Sequence, residues 1–193
     1  MADSPLVEAA KRWVIGEYPY NDYHLVRSLE WLDILAPGSR EAVRLAALTH
    51  DMERAFPGPD QPVMTALDDS IYMVRHSERS ARIVGAWLGE NHADEDLVRD
   101  VGQLIEFHEF GGWQEANLVQ AADSLSFLEV NIDLFLNMVR SGKRTIADVG
   151  NKFEYSYNRI QVPEAREIAL PMLLRANERL VALGAELAGV AQK

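Results

Sequence analysis

Along almost the whole of this 193-residue chain, apolar residues return with the helical period of roughly 3.6, and no run alternates as a half-buried strand does. Helix packed on helix is what such a chain can fold into. Ser4-Pro5 is an N-cap and first-turn proline for a helix reaching about Gly16. Asp22 can cap a second helix through Leu35, stopped by Pro37-Gly38. Ser39 starts a third, from Glu41 to about Met52, ended by Pro57-Gly58-Pro59. A fourth spans about Asp69 to Leu88, and a fifth Asp94 to Glu109. After Gly111-Gly112 a long apolar helix runs roughly from Gln114 to Val139. Thr145 and Asp148 open the next like a capping box, and Pro163 starts the last, which Pro171 should kink or divide. The pattern predicts one all-α domain of about seven to nine helices.

Composition narrows the function classes. Nineteen Lys and Arg against thirty Asp and Glu leave a net charge of −11, which repels phosphate backbones and anionic lipid. Nucleic acid and membrane are therefore poor partners, whereas a small anion needs only a local cationic site. The absence of cysteine removes disulfides, thiolate nucleophiles and thiolate metal sites, and fits a cytoplasmic protein. No stretch between charged residues exceeds seven positions, so no membrane-spanning helix is expected. The first residues, Met1 to Pro5, lack the basic and apolar regions of a secretory signal. At 48% hydrophobic, the chain can bury a sizeable core.

Five histidines stand at 24, 50, 76, 92 and 108. His50 and Asp51 are adjacent at the end of an apolar helix, and His108 follows the core-facing Leu104 and Ile105. Asp123 lies in Val119–Leu128 with apolar neighbours on both sides. A buried, ionised carboxylate costs several kcal/mol unless a cation or several donors meet it. Taken singly, each histidine reads as a hydrogen-bonded core residue and Asp123 as a buried ion-pair partner. Taken together on helices able to converge, four histidines and two carboxylates read as a nitrogen and oxygen ligand set for a transition metal. His92 stands in a polar loop and has no role.

In order, His24, His50-Asp51 and Asp123 resemble the defining pattern of the HD superfamily of metal-dependent phosphohydrolases. His76 and His108 match the longer H…HD…H…H…D pattern of its dinuclear branches, and the resemblance covers roughly residues 20 to 130. The layout is similar to that of bacterial diadenosine-tetraphosphate hydrolases in the Ala122-Asp123 pair. It departs from them at His108-Glu109-Phe110-Gly111-Gly112-Trp113, and it lacks the Gly-Tyr-Pro signature of cyclic-dinucleotide hydrolases. The resemblance implies a single HD-type domain over 1–193, with residues 143–193 as cover or pocket wall. It also implies that His24, His50, Asp51 and Asp123 hold one metal, and that Asp51 bridges to a second held by His76 and His108.

That ligand set suits two divalent or mixed-valent transition metals, Fe or Mn first, with Zn, Co, Ni or Mg as alternatives. The implied reaction is hydrolysis of a small phosphate ester or anhydride, such as a nucleotide, by hydroxide that the metal pair generates, with Asp51 and Glu53 as catalytic carboxylates. Glu109 could orient water in the same way, although a solvated helix end explains Glu53 and Glu109 equally well. Arg27, Arg54, Arg79 and Lys152 are the candidate phosphate-binding residues. Arg75 and Arg82 share the stripe of Arg79 and read as solvated or paired. Lys152, Tyr155 and Arg159 follow helical spacing and could form one polar wall, and Ser80 reads as a packing residue beside His76. Trp31, Trp87, Phe127 and Phe135 read as core. Two alternatives remain at this point. One is a mixed-valent di-iron oxygenase of the same superfamily, served by Tyr18 or Tyr20, and the other a non-catalytic ligand-sensing module. The expected assembly is a monomer or homodimer.

Overall fold

The computed structural model describes residues 3–65 and 69–190. Within them the chain is all helical: α1 (Pro5–Glu17), α2 (Asp22–Leu35), α3 (Glu41–Thr49), α4 (Ser70–Glu90), α5 (Glu95–Glu106), α6 (Gln114–Val130), α7 (Ile132–Arg140), α8 (Ile146–Asn158) and α9 (Pro163–Val190), with a 3-10 turn at Met52–Ala55. No helix of the described residues is long and apolar enough to cross a membrane.

Local chemistry sets most of these boundaries. Ser4 caps α1 ahead of Pro5, Asp69 caps α4, Asp94 caps α5, and Thr145 with Asp148 closes a capping box on α8. Asp22 is not a cap. It is the first residue of α2, and its carboxylate accepts from the Tyr23 N–H at 2.8 Å. Three other boundaries differ from the sequence expectation. The third helix stops at Thr49 rather than Met52, because the chain tightens into the 3-10 turn right after His50-Asp51. The fifth stops at Glu106, which leaves His108 and Glu109 in the turn that follows. The long apolar helix is broken at Asn131, which ends α6 and starts α7. Pro171 does not divide α9: it lies on an exposed face of one continuous helix.

Helix α6 is buried on every side over Val119–Leu128, which makes it the central helix. Helix α2 packs along it, α3 and α5 lie beside these, α4 pairs with α5, and α8 and α9 close over α6 from the C-terminal side. Leu25, Leu32, Leu45, Leu48, Leu104, Ile105 and Leu125 fill the centre. Trp31 and Phe127 belong to this core, Trp87 is half-buried against Trp13, and Phe135 packs edge-on to Phe127. The central helix carries Asp123 into the middle of the molecule, where the ends or inward faces of five other segments meet it.

Candidate metal centre

His24 projects from the first turn of α2, His50 and Asp51 from the end of α3, and His76 from the middle of α4. His108 and Glu109 come from the turn after α5, and Asp123 from α6. All seven are buried. The imidazoles form a continuous chain, with ring centroids 5.5 Å apart for His24–His50, 4.8 Å for His50–His108 and 5.1 Å for His76–His108. Ligand atoms within 4.8 Å of one another occur in three groups: His24, His50 and Asp123; His50, Asp51 and His108; and His76, His108 and Glu109.

Backbone carbonyls fix the tautomers. His50 Nδ1 lies 3.0 Å from the Ala47 carbonyl and His108 Nδ1 2.7 Å from that of Ile105; a carbonyl only accepts, so each Nδ1 carries the proton. Ser126 donates to the His24 carbonyl at 2.7 Å and so accepts from His24 Nδ1 at 2.9 Å. Each Nε2 is left with a lone pair facing the centre. His50 Nε2, His76 Nδ1 and His108 Nε2 are buried without a hydrogen-bond partner. Tyr72 stacks flat on His76, with centroids 5.1 Å apart, and fixes that ring. Bare imidazole lone pairs and carboxylate oxygens facing one another in a buried site fit a divalent transition metal.

The electrostatics point the same way. Burial alone would raise the carboxylates, yet Arg159 holds Asp123 and Glu109 well below the usual carboxylate range, helped by His50 and His76 respectively. Arg54, whose Nε is 3.2 Å from Asp51 Oδ2, does the same for Asp51. Burial and the neighbouring His50 push His108 down to about 3, so it stays neutral with its lone pair free. His50 is drawn upward by Asp123 against its burial.

A cavity of about 300 Å³ opens onto this cluster. His24, Asp51, Glu109 and Asp123 line its floor, Arg54, Arg144, Lys152 and Arg159 its sides, and Tyr18, Phe127, Leu134, Phe135 and Met138 an apolar wall. Of the residues expected to meet substrate, Arg54 and Lys152 face this cavity. Arg27 does not: it lies on the outer face of α2, bound to Glu30 and Glu129. Arg79 is likewise elsewhere, pinning the 3-10 turn by donating to the carbonyls of Glu53 and Phe56 and to the carboxylates of Glu53 and Asp60. Glu53 is buried between Arg79 and His76 Nδ1, 4.0 Å from the latter, behind the cluster rather than in the cavity. Ser80 accepts from the Glu53 N–H at 3.0 Å, a packing role as expected. Phe127 and Phe135 serve both core and cavity wall. Tyr18 is buried on the cavity side, and Tyr20 donates to the Arg54 carbonyl at 2.6 Å.

Sequence reasoning gave only secondary parts, a water-orienting carboxylate and a member of a polar wall, to Glu109 and Arg159, which the fold places at the centre of the cluster. Glu109 had a signal in its adjacency to His108, and Arg159 had only its spacing from Lys152.

The HD domain family matches residues 21–128, more than half of the chain and the whole span from His24 to Asp123. The chain belongs to this family, a superfamily of the metal-dependent phosphohydrolase type. No curated protein and no solved structure matches it.

Proposed function

We propose that the protein is a metal-dependent phosphohydrolase acting on a small phosphate ester or anhydride, a nucleotide being the leading candidate. The observation that carries this reading is the cavity wall. In a chain of net charge −11, four cationic side chains, Arg54, Arg144, Lys152 and Arg159, line this cavity against three carboxylates, and Arg144 and Lys152 pair with none of the three. An anionic substrate finds there the local field that the rest of the surface denies it.

In this reading His24, His50, Asp51 and Asp123 would hold one metal, and Asp51, His76 and His108 would hold a second. A divalent pair supplies Lewis-acid charge at phosphoryl oxygens and makes water acidic enough to react near neutral pH. The chain's own residues do the rest. Lys152 has no salt-bridge partner among the described residues, and its ammonium lies over the rings of Tyr155 and Phe127 at 5.0 and 5.6 Å, free to take a phosphate oxygen. Burial lowers its pKa, which eases release of a proton toward a leaving oxygen. Arg54 fixes Asp51 from the cavity side, and Tyr72 holds His76 by stacking on its ring. Phe127, Leu134, Phe135 and Met138 offer an apolar surface for the organic part of the ester and exclude water from it.

The test loads the protein anaerobically with Fe(II) or Mn(II) and screens phosphate release from a panel of phosphate esters, with oxygen uptake recorded in parallel. Release that disappears in Asp51→Ala is the expected result. Release that survives Asp51→Ala refutes the assignment, and substrate-triggered oxygen uptake without phosphate hydrolysis selects the oxygenase instead.

A further inference from the structure

Arg159, at the end of α8, stands between two carboxylates. Its Nη1 binds Oε2 of Glu109, its Nη2 binds Oδ2 of Asp123, and its Nε donates to Ser124 Oγ at 2.9 Å. Each carboxylate is gripped by one oxygen, and its other oxygen is turned inward. Oδ1 of Asp123 lies 3.2 and 3.4 Å from Nε2 of His24 and His50. Oε1 of Glu109 lies 3.3 and 3.8 Å from Nε2 of His76 and His108. The two half-sites match: one carboxylate oxygen, two imidazole nitrogens, and the same guanidinium holding both from outside.

An ion-pair partner of Arg159 needs nothing further. The inner oxygen of Glu109 nonetheless faces His108 Nε2, whose Nδ1 proton is committed to the Ile105 carbonyl. These two acceptors lie 3.8 Å apart in a buried space; His76 Nε2 reaches Glu109 Oε1 at 3.3 Å, but nothing donates to His108 Nε2. Such a pair repels unless a cation stands between its members. His76 leans the same way, with Nδ1 directed at Asp51 and Glu53 at 3.6 and 4.0 Å while Nε2 faces Glu109. The backbone fixes Glu109 as firmly, since Gln120 Nε2 donates to its carbonyl at 3.0 Å.

We propose that Glu109 is a ligand of the second metal, serving His76 and His108 as Asp123 serves His24 and His50, with Arg159 clamping both carboxylates. This rests on the dinuclear reading above and adds a ligand which that reading does not contain. Arg159 is accordingly a positioning residue that sets which oxygen of each carboxylate faces the metals.

The test titrates Mn(II) into the metal-free full-length chain and counts bound ions by electron paramagnetic resonance, with thermal unfolding as a check on folding. The wild type binds two ions as a coupled pair. In Glu109→Gln the first ion binds as before, the second weakens about 100-fold or more, and the spectrum becomes that of an isolated ion. Arg159→Met keeps two ions, both more weakly held. Should Glu109→Gln not fold, Glu109→Asp carries the test, with the second ion weakened and the first unchanged. Two tightly bound ions in whichever Glu109 variant folds overturn the proposal while leaving the dinuclear reading intact. A wild type that binds no second ion overturns both.

Discussion

At the scale of single residues, the centre works because each group has only one way to behave. His50 and His108 donate their Nδ1 protons to carbonyls, which turns each Nε2 toward the centre. Lys152 contrasts with them, because its charge is not spent on a protein carboxylate. Replacing it by methionine removes a charge-assisted contact to substrate, so kcat/KM should fall about 10–100-fold with the number of bound metals unchanged. Lys152→Arg should recover part of the loss. Steady-state kinetics with metal analysis check this, and an unchanged kcat/KM for Lys152→Met removes the lysine from the substrate site. The histidines and aspartates that the fold brings together were legible in the sequence because their types and order stand out whatever the helix angles. Arg27 and Arg79 were not, although each neighbours a ligand. Adjacency on a helix says which residues share a face, not whether that face turns toward the cavity or toward Glu129 and Asp60.

At the scale of elements, the site hangs on places where helices end. His50-Asp51 lies at the α3 terminus, and His108-Glu109 lies in a turn tied down by Gly112 N–H to Asn117 Oδ1 at 2.8 Å and Gln161 Nε2 to the Phe110 carbonyl at 2.9 Å. Gly111 makes this turn possible with a φ of 69°, and a Cβ there would collide with Asn117 Oδ1 and come within 2.7 Å of Gln161 Nε2. Gly111→Ala should cost about 1–3 kcal/mol, lower the melting temperature by several degrees, and loosen metal binding at His108. An unchanged melting temperature contradicts this account of the turn. The loop before α4 offers a pH test. Arg79 first, then Arg82, hold Asp60 down to about 2. Because the folded value lies below the unfolded one near 3.9, the tether's contribution is full above about pH 4 and is lost as pH falls toward 2. Carboxyl titration by NMR should show that low midpoint, rising in Arg82→Gln; a midpoint near 3.9 contradicts the tether. The caps at Ser4 and Thr145–Asp148 were readable because capping is local chemistry. The break at Asn131 was not: no glycine or proline marks it, and the apolar period runs straight through it.

At the scale of the whole molecule, the acidic balance and the cationic cavity are parts of one design. Negative charge is spread over the surface, while Arg54, Arg144, Lys152 and Arg159 gather where α6, α7 and α8 enclose the site. The all-α class followed from periodicity, but the cavity did not, since it depends on how helices from distant parts of the chain settle over α6. Metals that bind only the folded chain must stabilise it, by about 2.7 kcal/mol at a hundredfold excess over Kd. Chelation should therefore lower the melting temperature by about 5–10 °C for a domain of this size, reversibly on adding metal back. A melting curve indifferent to chelator and to added metal counts against a metal bound in the core.

The most direct test of the central claim is the transition-metal content of the protein purified anaerobically and supplied with Fe(II) or Mn(II), measured per chain beside His50→Ala. The account predicts close to two ions per wild-type chain and a clear loss in the variant. Fewer than about one ion per chain, with no change in His50→Ala, would contradict it.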